Sequence, residues 1–260
     1  RSEALGVVAG SWFIIAHFAA IPYLWEGMSF ANAIFESMSG FTSTGATILI
    51  DFDAHNRAFF LWRSITQWIG GLGIIALFVV ILPQLGIAGR QLFFAESSES
   101  PNEIISARVK ESARKLWILY LSLTIGVVVM LMAVSGWSVY DSVCHALTTV
   151  SAGGFSPNPL SIAGYESPSA EWILTFFMLL AGVSFPLIWV SIYRRPLDCL
   201  RDGEFRFYFL AWGSTALIMA FILSGNELTL ENLRHGLFQC ASLISSTGYA
   251  SHDYNLWGSG

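Results

Sequence analysis

Five apolar runs divide the chain, at about 5–25, 59–82, 116–135, 171–193 and 205–224. Each is close to the ~20 residues a helix needs to cross the hydrocarbon core of a bilayer. The stretches between them are mixed, and three end in small polar residues and glycine. The first is Phe35-Glu36-Ser37-Met38-Ser39-Gly40-Phe41-Thr42-Ser43-Thr44-Gly45-Ala46-Thr47. Its first part predicts a short helix and its second a Thr/Ser/Gly strand. Two similar stretches follow, Ser138 to Phe155 after the third run and Leu237 to Ala250 after the fifth. When Gly45, Gly153 and Gly248 are aligned, an apolar residue stands ten positions upstream in each copy: Phe35, Val143 and Phe238. Each predicted half-helix also has a candidate N-cap, Ser29, Ser138 or Thr229. The order span, half-helix, strand, span is therefore an internal repeat.

Such an order has a chemical meaning. Non-helical polar backbone at membrane depth is costly unless it lines a wet cavity. Carbonyls of a strand there replace the water shell of a cation. Half-helices ending at the strand aim their negative dipole ends toward the same place. The residues in position for this are Thr42, Ser43, Thr44 and Gly45; Val150, Ser151, Ala152 and Gly153; Ser245, Ser246, Thr247 and Gly248. The cation is expected at Thr44, Gly45, Ala152, Gly153, Thr247 and Gly248. Small Ser43, Ala152 and Ser246 let the copies approach one another. The hydroxyls of Thr42, Thr44, Ser151, Ser245 and Thr247 either add oxygen ligands or brace the strand.

Composition supports the membrane reading. Of 260 residues, 54% are hydrophobic and 12% charged, where a soluble domain has about 25% charged. The mean hydropathy is +0.59. The net charge of -5 matters less than where charge lies. Arg90, Arg108, Lys110, Arg114 and Lys115 fall in the connection 83–115, and Arg194, Arg195, Arg201 and Arg206 in 194–206. These nine of thirteen basic residues mark both connections as cytoplasmic, and 136–171, which has none, as external. Trp12, Trp25, Trp62, Trp117, Trp137, Trp172 and Trp189 lie mostly near span ends, as interfacial anchors do. Pro186 predicts a kink in the fourth span. Gly70, Gly71 and Gly73 read as close packing in the second. Cys144, Cys199 and Cys240 read as small apolar residues.

On these residues the chain resembles the Trk/Ktr/HKT superfamily of potassium transporters, nearest the membrane subunit of bacterial Trk uptake systems. The resemblance rests on Gly40-Phe41-Thr42-Ser43-Thr44-Gly45-Ala46-Thr47, Ser151-Ala152-Gly153-Gly154-Phe155 and Ser246-Thr247-Gly248-Tyr249. It rests most specifically on Trp62-Arg63-Ser64-Ile65-Thr66-Gln67-Trp68-Ile69-Gly70-Gly71-Leu72-Gly73. It implies an all-α polytopic protein of the bacterial cytoplasmic (inner) membrane, built of pore-loop, potassium-channel-like repeats. About two and a half of an expected four fall in this chain: 4–83, 116–193 and an incomplete 205–260, with cytoplasmic linkers 84–115 and 194–204. It implies potassium (K+) as the transported ion and no organic cofactor. It implies a homodimer with a cytoplasmic nucleotide-binding regulatory ring, contacts with membrane lipid, and no nucleic-acid partner. Glycine rather than serine at Gly45 favours potassium over sodium. A sodium-permeable or sodium-coupled member of the same superfamily is the alternative, with a non-conducting scaffold behind it. The chain is expected to be part of a longer protein that supplies the fourth strand.

Other residues carry weaker chemistry. Glu36 and Gln239 sit in half-helices, where they either brace the strands or bond their own backbone. His145 and His235 read as packed, neutral histidines. Asp51, Asp53 and Asp253 concentrate cations at an outer mouth or are ordinary loop acids. Lys110, Arg114 and Lys115 set topology or dock a regulator. An intramembrane enzyme would need a nucleophile–base pair or a metal set; His17, His55, His145, His235 and His252 have no histidine four residues on. The chain is therefore expected not to be an enzyme.

Overall fold

The computed structural model describes residues 2–85, 101–193, 198–224 and 229–252. Among these, all regular structure is helical. The elements are α1 (Ser2–Ala19), α2 (Ile21–Trp25), α3 (Phe30–Phe41), α4 (Arg57–Leu85), α5 (Pro101–Ser135), α6 (Val139–Val150), α7 (Pro168–Gly182), α8 (Phe185–Tyr193), α9 (Asp198–Arg201), α10 (Gly203–Ser224) and α11 (Leu230–Ile244). Apolar composition and length suit Ala113–Ser135 of α5 and Gly203–Ile222 of α10 to cross a membrane. Residues 101–115, the described part of the expected linker 84–115, are helical and form the first turns of α5. Arg90, Arg194, Arg195 and Asp253 lie outside the described residues.

The short helices α3, α6 and α11 start where side-chain chemistry says they should. Ser29 Oγ accepts from Asn32 N at 3.4 Å, Ser138 Oγ from Asp141 N at 3.1 Å and Thr229 Oγ1 from Asn232 N at 3.1 Å. Each cap residue is extended, with ψ of 154°. Each satisfies a backbone donor that the first turn leaves unpaired. Once started, each short helix is wedged between longer ones. α3 packs on α1 and α4, α6 on α4, α5 and α7, and α11 on α7 and α10. The inner faces of α6 and α11 meet in one apolar cluster that includes Tyr120, Leu131, Val150, Leu174, Met178 and Phe238, and α3 buries Ala33 against Tyr23, Phe59 and Phe60 in a second. Large apolar residues such as Phe18, Ile125, Phe176, Leu217 and Phe221 face outward, as a lipid-facing surface requires.

The fourth apolar run bends where Pro186 predicts, but so sharply that it is two helices. It is α7 and α8, bent by 105°. The break is at Val183 and Ser184, ahead of Pro186. Ser184 O accepts from Leu187 N at 3.0 Å and from Ile188 N at 3.2 Å, which starts a new helix. Pro186 falls in that first turn, where a missing N–H costs nothing. Val183 and Ile188 pack with Leu119, Phe205 and Phe209, which seats the elbow between α5 and α10.

Two glycines of α4 let the ends of the short helices reach it. A Cβ on Gly70 would lie 2.7 Å from the Phe41 carbonyl carbon and closer still to its oxygen. One on Gly71 would lie 3.0 Å from Ser151 Cβ and 2.5 Å from the Tyr120 hydroxyl. Gly182 in α7 repeats the second contact, with Ser245 Cβ at 3.4 Å and the Tyr208 hydroxyl nearer. Gly213 in α10 has nothing within 4 Å. Gly70→Ala is expected to cost about 1–3 kcal/mol, because backbone cannot move aside. Gly213→Ala is expected to be neutral or stabilising, since alanine is the better helix former. Thermal unfolding of the two purified variants in detergent reads the difference.

Candidate functional site

Each short helix hands over to a strand with the same backbone. The C-caps are Thr42, Ser151 and Ser245. The next residue has positive φ in every copy: Ser43 at 51°, Ala152 at 53° and Ser246 at 58°. The residue after it does not. The one after that is a glycine with positive φ: Gly45 at 74°, Gly154 at 73° and Gly248 at 86°. Alternating the sign of φ turns successive peptide groups to a common side of the strand. Non-glycine residues adopt positive φ at a cost of about 1–2 kcal/mol. Ser43, Ala152 and Ser246 all do so, and strain held at equivalent places makes these segments the candidate site.

This register corrects the sequence alignment in the second copy. Counted from the helix cap, the counterpart of Gly45 and Gly248 is Gly154. Gly153 corresponds to Thr44 and Thr247. The adjacent glycines made the two registers equivalent by residue type alone. The same slip drew Val150 into the strand; it is the last residue of α6, buried in the apolar core.

The strands lie side by side in chain order. A Cβ on Gly45 would meet the carbonyl oxygen of Gly153, and one on Gly154 would meet that of Thr247. The glycine of one copy thus faces the residue before the glycine of the next, twice over. Gly248 faces open space, with nothing within 4 Å of its Cβ direction. The hydroxyls brace the strands. Thr42 Oγ1 donates to Met38 O at 2.8 Å and lies 2.7 Å from Thr44 Oγ1. Ser245 Oγ lies 2.7 Å from Thr247 Oγ1. Ser151 Oγ donates to Leu147 O at 2.9 Å.

Behind each strand, one polar residue of the short helix holds the chain that leaves the glycine. These residues are Glu36, His145 and Gln239, each nine positions before its glycine and each buried. Glu36 Oε1 accepts from Thr47 Oγ1 at 2.6 Å and from Ile48 N at 2.8 Å. His145 Nδ1 donates to Asp141 O at 2.8 Å, which leaves Nε2 to accept from Ser156 Oγ at 3.1 Å. The ring is packed and fully buried. The Gln239 amide accepts from Ser251 N at 3.1 Å and donates to Tyr249 O at 3.2 Å. Three residues toward the strand, Ser39 Oγ donates to Ala46 O at 2.6 Å and Ser242 Oγ to Tyr249 O at 2.8 Å. His235 Nδ1 lies 2.9 Å from Ser251 Oγ. Asp51 caps its own loop by accepting from Asp53 N and Ala54 N.

Residues 6–259 match the family described as TrkH: Cation transport protein. The chain belongs to that family. It is 33% identical over 258 residues to the Trk system potassium uptake protein TrkH of Halomonas elongata, covering 96% of this chain and 53% of that protein. It is 33% identical over 262 residues to the Trk system potassium uptake protein TrkG of Escherichia coli K12, with 96% and 53% covered. The crystal structure of the potassium transporter TrkH from Vibrio parahaemolyticus superposes with a TM-score of 0.82 at 29% identity, over 97% of this chain and 52% of that one. The chain spans about half the length of these relatives. It is a multi-pass helical protein of the bacterial inner membrane.

In this TrkH-family chain, sequence reasoning gave no role to two residues of α4, Arg63 and Gln67. Both are fully buried. Arg63 Nε donates to Glu36 Oε2 at 3.1 Å, and its Nη2 donates to Thr47 Oγ1 at 3.0 Å. The guanidinium also lies over the ring of Phe155, 3.9 Å from its centroid. Arg63 therefore joins the first copy to the second. Gln67 Nε2 donates to Gly153 O at 2.7 Å, and its Oε1 accepts from Phe155 N at 3.1 Å. Tyr249 joins the third copy to the second, its hydroxyl donating to His145 O at 3.2 Å and pairing with Thr148 and Thr149. Arg234 of α11 pairs with Glu171 of α7 at 2.7 Å. The signal available in sequence was the spacing: a cation and an amide four residues apart in an apolar span share one helix face, and such residues at membrane depth are rarely idle.

Glu36→Ala would leave the Arg63 charge buried and unpaired, for an expected loss of roughly 3–5 kcal/mol. Adding Arg63→Met should recover part of that loss. A double-mutant cycle by thermal unfolding in detergent measures the coupling.

Proposed function

We propose that the full-length protein takes up potassium across the bacterial inner membrane through a pore whose filter includes residues 42–45, 151–154 and 245–248. The carrying observation is the backbone that occurs three times over: a helix cap, a left-handed residue, and a left-handed glycine two residues on. Short helices that end at strands of this kind suit a partly dehydrated cation, because their C-terminal carbonyl dipoles are negative. Potassium sheds water more readily than sodium, and a ring of carbonyl dipoles of the right size and field strength favours it. The ion is coordinated around Thr44 and Gly45, Ala152 and Gly154, and Thr247 and Gly248. Relatives named as potassium uptake proteins support the choice of ion. The open face of Gly248 is where a further strand completes the ring.

The chain works as a transporter and not as an enzyme. Its basic connections face the cytoplasm and the three strands open to the outside. A nucleotide-binding regulatory ring docks on the cytoplasmic side, and the transporter is a homodimer. Nucleotide binds that regulator and not this chain.

Gly45→Ser, Gly154→Ser and Gly248→Ser each put a Cβ on a residue of positive φ. In the first two it falls on the neighbouring strand's carbonyl. Each should reduce the preference for potassium over sodium by about tenfold or more, a single carbonyl contact of about 1.4 kcal/mol. Thr47→Ser, past the glycine, should do less. Competitive uptake of potassium, rubidium and sodium in a strain dependent on this transporter reads the effect. Unchanged selectivity in all three glycine variants at normal expression would place the filter elsewhere.

A further inference from the structure

The three strands match in backbone but not in how the residue before the glycine is held. Thr44 and Thr247 are each tied by a hydroxyl contact of 2.7 Å to the helix cap two residues back. Gly153, at the same position of the second strand, has no side chain to tie. We propose that the Gln67 amide occupies the place of that missing side chain and is the positioning residue for the second strand.

Three observations carry this. A Cβ built on Gly153 would fall into the Gln67 amide, 2.7 Å from Nε2 and closer to Cδ and Oε1. The volume a threonine would fill is therefore already taken by the amide. Next, the amide is bonded on both sides of Gly154. It donates to Gly153 O at 2.7 Å and accepts from Phe155 N at 3.1 Å, fixing the two peptides that flank the left-handed glycine. A buried amide with both ends satisfied holds its partners in one geometry, because releasing either leaves a polar group unpaired. Finally, the arrangement is absent where it is not needed. Gly71 of α4 meets Ser151 and the Tyr120 hydroxyl as Gly182 of α7 meets Ser245 and the Tyr208 hydroxyl. That equivalence places Met178 where α4 has Gln67. Met178 is buried and carries no amide, and the third strand has Thr247 to brace itself. Glutamine goes with glycine, and methionine with threonine.

The inference rests on the filter reading above and deepens it: Gln67 sets selectivity without touching the ion. The test uses the full-length protein in liposomes, with competitive flux of potassium against sodium. Wild type must discriminate between the ions; if it does not, the filter reading fails, and not this one alone. Gln67→Ala should lose about tenfold in selectivity, the value of one buried hydrogen bond. Gly153→Thr should also be impaired, since its side chain collides with the amide. The double variant Gln67→Ala with Gly153→Thr rebuilds the arrangement of the other two strands and should recover most of the selectivity. If Gln67→Ala does not fold, the double variant should fold and discriminate. Wild-type selectivity in Gln67→Ala, or a double variant no better than either single, overturns the proposal.

Discussion

A carbonyl that is to face an ion must be left without a hydrogen-bond donor, so the strand that carries it has to be held by everything else it offers. On the filter reading proposed above, that constraint organises this chain. The strands are strained and short, with positive φ at Ser43, Ala152 and Ser246 as well as at the glycines. Left alone they would collapse, because an unpaired polar group in a poorly hydrated place is costly. Their hold comes from behind. Hydroxyls at the caps tie the threonines, Ser39 and Ser242 tie the next carbonyl, and Glu36, His145 and Gln239 tie the chain beyond it.

The same constraint explains why polar groups lie so deep in an apolar molecule. Glu36 and Arg63 are both buried, and neither would be tolerated alone. Together they leave Glu36 Oε1 free to accept from the strand and Arg63 free to reach Thr47 and the Phe155 ring. The copies are thereby coupled. Phe155 of the second strand sits on a cation of the first unit, and Tyr249 of the third on the hydroxyls and backbone of α6.

Much of this was legible in the sequence where the cause is local. Ser29, Ser138 and Thr229 announced three helix starts because capping depends on one side chain and its next turn. Among the described residues, the third and fifth long apolar runs announced helices fit to span, in α5 and α10. What was not legible depends on geometry between distant segments. Gly153 and Gly154 look alike until backbone angles tell them apart. Pro186 is consistent with either a kink or a helix start, and packing against Phe205 and Phe209 decides for the second. Gln67 reads as one more residue of a membrane span until Gly153 arrives beside it from 86 positions along the chain.

The central claim is that three left-handed strands gather around a cation. Anomalous scattering from rubidium-soaked crystals of the full-length protein locates such an ion directly. The account predicts a peak on the axis shared by the strands, within coordination distance of backbone oxygens contributed by residues 43–45, 152, 154 and 246–248. Occupancy should fall when sodium replaces rubidium in the soak. A peak found only at the acidic loop around Asp51 and Asp53, with none between the strands, would contradict it.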